Sequence, residues 1–138
     1  LETVCETHQC TYEYVTKPTP KDTFVYNEET CAQIAEEAVK KSLGEETLYT
    51  YPAWMASEPF GLYLKYMPGV FAFVGIQNDG KGTGAEHHNA YFEIDEEVLK
   101  LGVAATVQYT IDFLKHEEDI PYKKETKDVG DLMGVRSV

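Results

Sequence analysis

The stretch with the clearest capacity for chemistry is Ala85-Glu86-His87-His88-Asn89-Ala90-Tyr91-Phe92-Glu93-Ile94-Asp95, where two histidines follow a glycine-bearing loop and lead into an acidic run. Neutral imidazole is the commonest side-chain metal ligand, and a histidine at a loop-to-helix junction is aimed by the rigid element behind it. Neighbouring residues of an extended segment point to opposite sides, so only one of the two serves a given site. A catalytic zinc site takes three protein ligands and a water, and no H-E-x-x-H or comparable cluster supplies the others. Either the remaining ligands lie in sequence outside this chain, or the histidines are ordinary surface or hydrogen-bonded residues.

Other reactive residue types have simpler explanations. Ser57 lacks the G-x-S-x-G surroundings of a hydrolase nucleophile and reads as a helix N-cap, with Glu58 favourably placed in a first turn. Gly80, Gly82 and Gly84 lack the spacing of a phosphate loop and read as a turn that carries the histidines forward. Cys5, Cys10 and Cys31 are odd in number and form no C-x-x-C pair, which suits a reducing compartment rather than a disulfide framework. A cytoplasmic location is expected.

The elements that position these residues follow from periodicity. Leu1, Val4, Cys5 and His8 keep helical rhythm without a preceding cap, as though the chain starts inside an element. Residues 10–15 read as a strand, and Lys17-Pro18-Thr19-Pro20-Lys21-Asp22 as a linker. A helix is predicted from an Asn27 N-cap to a stop at Gly44, with Glu36/Lys40 and Glu37/Lys41 paired on its outer face. Residues 47–51 form a strand candidate. A helix through Phe60, Tyr63, Leu64 and Met67 ends at Pro68-Gly69. Residues 70–76, apolar almost throughout, are predicted to be a strand buried on both faces. Asp95 is the expected N-cap of a helix to about Lys115, apolar nearly all round and therefore expected to be largely buried. Beyond His116 the chain is charged and reads as a peripheral or disordered tail.

With 138 residues, of which 43% are hydrophobic, the chain suits one ordinary domain. A formal net charge of −12 leaves no basic surface for nucleic acid or for an anionic membrane. No apolar run reaches membrane-spanning length, and no signal peptide is visible.

In order along the chain, Met55-Ala56-Ser57-Glu58-Pro59-Phe60-Gly61-Leu62-Tyr63, Pro68-Gly69-Val70-Phe71-Ala72-Phe73-Val74-Gly75, Ala85-Glu86-His87-His88-Asn89-Ala90-Tyr91-Phe92 and Asp95-Glu96-Glu97 resemble the C-terminal part of the metal-dependent amidohydrolases related to aminoacylase, hippurate hydrolase and indoleacetyl-amino-acid hydrolase. The resemblance implies an α/β fold: part of a three-layer sheet-and-helix catalytic domain of the zinc-peptidase type over residues 27–115, the last helix and strand of an α+β lid or dimerisation domain over residues 1–26, and a tail over residues 116–138. It implies that His88 is a metal ligand, with His87 the second choice, and that Ser57, Glu58 and Phe60 lie at the substrate pocket. Two divalent ions are implied, with zinc, manganese, cobalt and nickel not distinguished. The implied substrate is an N-acyl amino acid or small peptide, and the parent is expected to be a homodimer. The general base and remaining ligands are expected in a preceding part of the same protein, so the isolated chain is expected to be inactive. Three positions depart from the family pattern: Ala56 for glycine, Pro59 for aspartate and Glu86 for proline. They bear on substrate preference and activity more than on fold, and they motivate the alternative of a non-catalytic binding or assembly module that keeps the fold.

Overall fold

The structure is a computed structural model that describes residues 1–13, 24–56 and 58–128. Among the described residues the α-helices are α1 (Glu2–Thr7), α2 (Glu29–Leu43), α3 (Phe60–Tyr63) and α4 (Glu97–Leu114). The expected cap at Ser57 and the whole of the proline-bearing linker lie outside the described residues.

The packed centre is the contact between α2 and α4. Cys31 and Ala38, two helical turns apart, are fully buried there. Tyr109 of α4 hydrogen-bonds with Cys31; burial first, and then that bond, push the tyrosine hydroxyl's pKa up. Glu28 starts α2, accepting the Cys31 N–H at 2.8 Å. Gly44 ends it as expected, with φ 99 and its N–H on the Lys40 carbonyl. The predicted charge pairs are rearranged: Lys40 reaches Glu37 at 2.8 Å, while Lys41 crosses to Asp112 of α4 at 3.0 Å. Exposed pairs of this kind add little to stability; the Lys41–Asp112 pair joins α2 to α4.

Asn27, the expected cap, has a different task. Its amide donates to the Phe71 carbonyl at 3.0 Å and accepts the Phe71 N–H at 2.8 Å, as a neighbouring strand would. Beside it the Glu28 N–H donates to the Gly69 carbonyl at 3.0 Å. Extended backbone needs partners for its polar groups, and where no ladder is available a side-chain amide is a geometrically suitable substitute. Among the described residues no strand ladder forms, and one isolated antiparallel bridge joins Asn78 to Thr83. Residues 47–51 accordingly pass from a short 3-10 turn (Glu45–Thr47) into chain without a ladder.

Two expectations about burial are corrected. Residues 72–75 are exposed rather than covered on both faces. No residue of α4 is fully buried, and Leu99, Leu101, Val103, Val107, Ile111 and Leu114 stand open. A helix apolar nearly all round needs more than one neighbour to cover it. Besides α2, it meets the segment at residue 74, where the open face of Gly102 leaves a Cβ position 3.7 Å from Val74 Cγ2.

Aromatic rings tie the loops together. Phe71 and Phe73, two residues apart in extended chain, share a side and sit 5.3 Å apart. Phe71 meets Phe60 of α3 at 5.3 Å, and Phe73 meets Trp54 at 5.3 Å and Tyr51 at 6.2 Å. Residues 122–127 lie against the chain leaving α3: the Tyr122 hydroxyl donates to the Leu64 carbonyl, the Glu125 N–H to the Lys65 carbonyl at 2.7 Å, and the Tyr66 hydroxyl to the Lys127 carbonyl at 2.8 Å.

Candidate metal centre

The histidine segment is held at both ends by the start of α4. Asp95, the one charged side chain buried among the described residues, receives Asn78 Nδ2 at 2.6 Å, Lys81 Nζ at 2.5 Å and the Glu97 N–H at 3.1 Å. Its own N–H donates to the Ile76 carbonyl at 3.1 Å. A carboxylate with this many donors is stabilised in its charged form. Lys81 first, and Asn78 next, hold Asp95 down to about 2, and the same contact raises the Lys81 pKa. The capping role expected of Asp95 is therefore present, with a second role added.

The loop is also closed on itself. Thr83 Oγ1 donates to the Ile76 carbonyl at 3.0 Å and accepts the Asn78 N–H at 2.8 Å, while Asn78 Oδ1 accepts the Gly80 N–H at 3.1 Å. Gly82 and Gly84 take φ 70 and 114, the left-handed region where a side chain is strained. With Ile76 and Asp95 joined, residues 77–94 form a loop closed at its base.

Within that loop the histidines part company. The His87 ring stacks on Trp54 at 5.9 Å and meets Phe92 at 5.4 Å. His88 is exposed, has φ 62, and makes no side-chain hydrogen bond or ring contact among the described residues. Histidine tolerates this conformation better than most residues, at a cost of about 1 kcal/mol. Asn89 fixes the chain just beyond, its Oδ1 accepting the Tyr91 N–H at 2.9 Å.

The pocket candidates lie along the aromatic row rather than against the histidines. Glu58 Oε1 accepts the Phe60 N–H at 3.2 Å, so its carboxylate is engaged at the start of α3. Among the described residues Phe60 connects to His87 through Phe71, Phe73 and Trp54. Ser57 is outside the described residues. No group of three or more His, Cys, Asp or Glu side chains is placed to hold a metal among the described residues. His88 thus fits as one donor, and a dinuclear centre cannot be assembled from the described residues. Sequence reasoning missed the Lys81–Asp95–Asn78 clamp. Its signal was present: Lys81 is the sole cation between residues 77 and 99, among Asp79, Glu86, Glu93, Asp95, Glu96 and Glu97.

The chain belongs to peptidase family M20/M25/M40, whose profile matches residues 5–112, and that family is generally metal-dependent. It is 31% identical over 94 residues to IAA-amino acid hydrolase ILR1-like 4 of Arabidopsis thaliana, a match covering 68% of this chain and 21% of that protein. It is 35% identical over 81 residues to IAA-amino acid hydrolase ILR1-like 5 of the same plant, covering 59% and 18%. Thermostable carboxypeptidase 2 of Saccharolobus solfataricus is 31% identical over 81 residues, covering 59% and 21%. The chain spans about a fifth of the length of these curated relatives. No solved structure matches it.

Proposed function

We propose that this chain is the C-terminal part of a metal-dependent amidohydrolase that cleaves the amide bond of N-acyl amino acids or small peptides, with His88 as its contribution to the metal centre. The observation that carries the reading is the presentation of His88: an exposed imidazole in a left-handed turn, on a loop clamped at its base, inside the stretch matched by the family. The relatives' names, amino acid hydrolase and carboxypeptidase, support amide-bond chemistry.

In this reading residues 27–115 complete a three-layer α/β catalytic domain, and residues 1–26 end a lid or dimerisation domain of a cytoplasmic homodimer. The open apolar faces of residues 72–75 and of α4 are then covered by the preceding part of the protein. Two divalent ions of unspecified identity, when bound, polarise the amide carbonyl and supply the nucleophilic water. The chain's own residues have positioning tasks. His88 donates a nitrogen lone pair, and His87, held between Trp54 and Phe92, shapes the rim. Ser57, Glu58 and Phe60 belong to the substrate pocket. Hydrolysis places the water's hydroxyl on the acyl carbon and its proton on the departing amine. The general base and other ligands belong to the preceding part, so residues 1–138 alone are inactive.

The test is His88→Ala in the whole protein, read as bound metal per protomer and as hydrolysis of N-acetyl and N-benzoyl amino acids. Partners one shell outside a metal cost about 10- to 100-fold when lost, so loss of a ligand is expected to exceed about a hundredfold and to lower metal content. His87→Ala should leave metal content intact. Unchanged metal and rate in His88→Ala would remove His88 from the ligand set. Metal binding without hydrolysis in the native protein would favour the binding-module alternative, which Pro59 in place of the family's aspartate motivates.

A further inference from the structure

The end of α1 carries a separate chemistry that does not depend on the hydrolytic reading. His8 closes the helix, and Gln9 follows with φ 53. The reversal produces two nested backbone bonds: the Gln9 N–H donates to the Glu6 carbonyl at 3.1 Å, and the Cys10 N–H to the Cys5 carbonyl at 2.9 Å. This is the Schellman arrangement, in which the residue beyond the reversal folds back onto the residue three places before the helix cap. Here those residues are Cys10 and Cys5, so the helix end brings the two cysteines side by side, joined through the Cys10 N–H and the Cys5 carbonyl. Cys10 is exposed and Cys5 partly so, whereas Cys31 is sealed between α2 and α4.

We propose that Cys5 and Cys10 form an oxidisable dithiol that closes to an intrachain disulfide, with hydrogen peroxide as the two-electron oxidant. Exposure makes Cys10 the sulfur first attacked. Its thiolate takes one peroxide oxygen to become a sulfenic acid, and the O–O bond breaks to release hydroxide. The Cys5 sulfur, losing its proton, attacks the Cys10 sulfur; the S–S bond forms and a second hydroxide leaves. The two thiol protons convert both hydroxides to water. Each sulfur is oxidised by one electron, and the peroxide is reduced by two. Cys5 takes the resolving role by position: it is less exposed than Cys10, and its carbonyl holds the Cys10 N–H at 2.9 Å, which keeps it beside the oxidised sulfur. The spacing escapes a search for C-x-x-C because the helix end, not the sequence interval, brings the pair together.

The experiment exposes the whole protein to hydrogen peroxide, blocks free thiols with N-ethylmaleimide, and maps the tryptic peptide containing both cysteines. The expected peptide is lighter by two hydrogens, carries no maleimide, and regains two labelling sites after reduction, while Cys31 stays reduced. Recovery of both thiols alkylated, or of Cys10 as sulfinic acid beside an alkylated Cys5, would overturn the proposal. The geometric cause has its own check. Gln9→Val disfavours the left-handed reversal and should slow closure roughly tenfold, whereas Gln9→Gly should not. Equal rates for native chain and Gln9→Val would remove the helix end as the closing device.

Discussion

Replacing Asn27 by leucine tests how the segment carrying Phe71 is held. Leucine keeps the branched heavy-atom skeleton of asparagine and is the bulkier of the two, so the change deletes two hydrogen bonds, at 3.0 and 2.8 Å, without opening a cavity. Each such bond nets about 1 kcal/mol, and an orphaned buried partner costs about 1 to 3 kcal/mol. Both bonds are partly buried, so water can recover some of the loss, and the expected destabilisation is about 2 kcal/mol. In urea, with a slope of about 2 kcal/mol per molar, the midpoint should fall by about 1 M. Local opening should exceed the global effect, because the Phe71 N–H loses its Asn27 acceptor; its amide exchange should accelerate toward that of exposed chain. The disturbance should reach His87, since Phe71, Phe73, Trp54 and His87 form a continuous series of ring contacts between 5.3 and 5.9 Å. Asn27→Asp keeps the acceptor and loses the donor, so it should fall between the two. A midpoint within about 0.2 M of the native value, with Phe71 exchange unchanged, would refute the idea that Asn27 substitutes for a strand partner.

Two further perturbations address the loop that presents His88. Asp95 ionises in the folded chain at about 2 against an ordinary 3.8. Its depressed value means that its contribution is fully present above 3.8 and is lost as pH falls through about 2. Protection of the Glu97 amide, which donates to Asp95, should decline over that window. Asp95→Asn should abolish the decline, and a flat profile in the native chain would show that the ionised carboxylate is not what holds the clamp. At the glycines, Gly84→Ala would place a Cβ 2.6 Å from Gln77 Cγ at φ 114 and should destabilise by about 1 to 3 kcal/mol. Gly82, at φ 70 with open space around it, should accept asparagine with little change in melting temperature.

Much of the local structure was determined by the sequence itself. The apolar stripe and the Gly44 stop define α2, Asp95 caps α4, and the ordered motifs from Met55 to Glu97 carry the family resemblance; the helix expected to run through Met67 to Pro68-Gly69 instead ends at Tyr63 and continues as turns. These features depend on neighbours three or four residues away, and such neighbours are encoded directly in periodicity and in capping chemistry. Tertiary structure decided the rest. Asn27 bonds a residue 44 positions away because extended chain at Phe71 needs donors and acceptors that no local pattern announces. Asp95 both caps α4 and receives Lys81, 14 positions earlier, because loop closure brings a lone cation to a buried carboxylate. His87 and His88 are equivalent by composition, and only packing against Trp54 and Phe92 separates an anchored ring from an open one. Burial too was a tertiary outcome: the apolar content of residues 70–76 and of α4 states a need for cover, and what covers it depends on which surfaces the chain brings alongside.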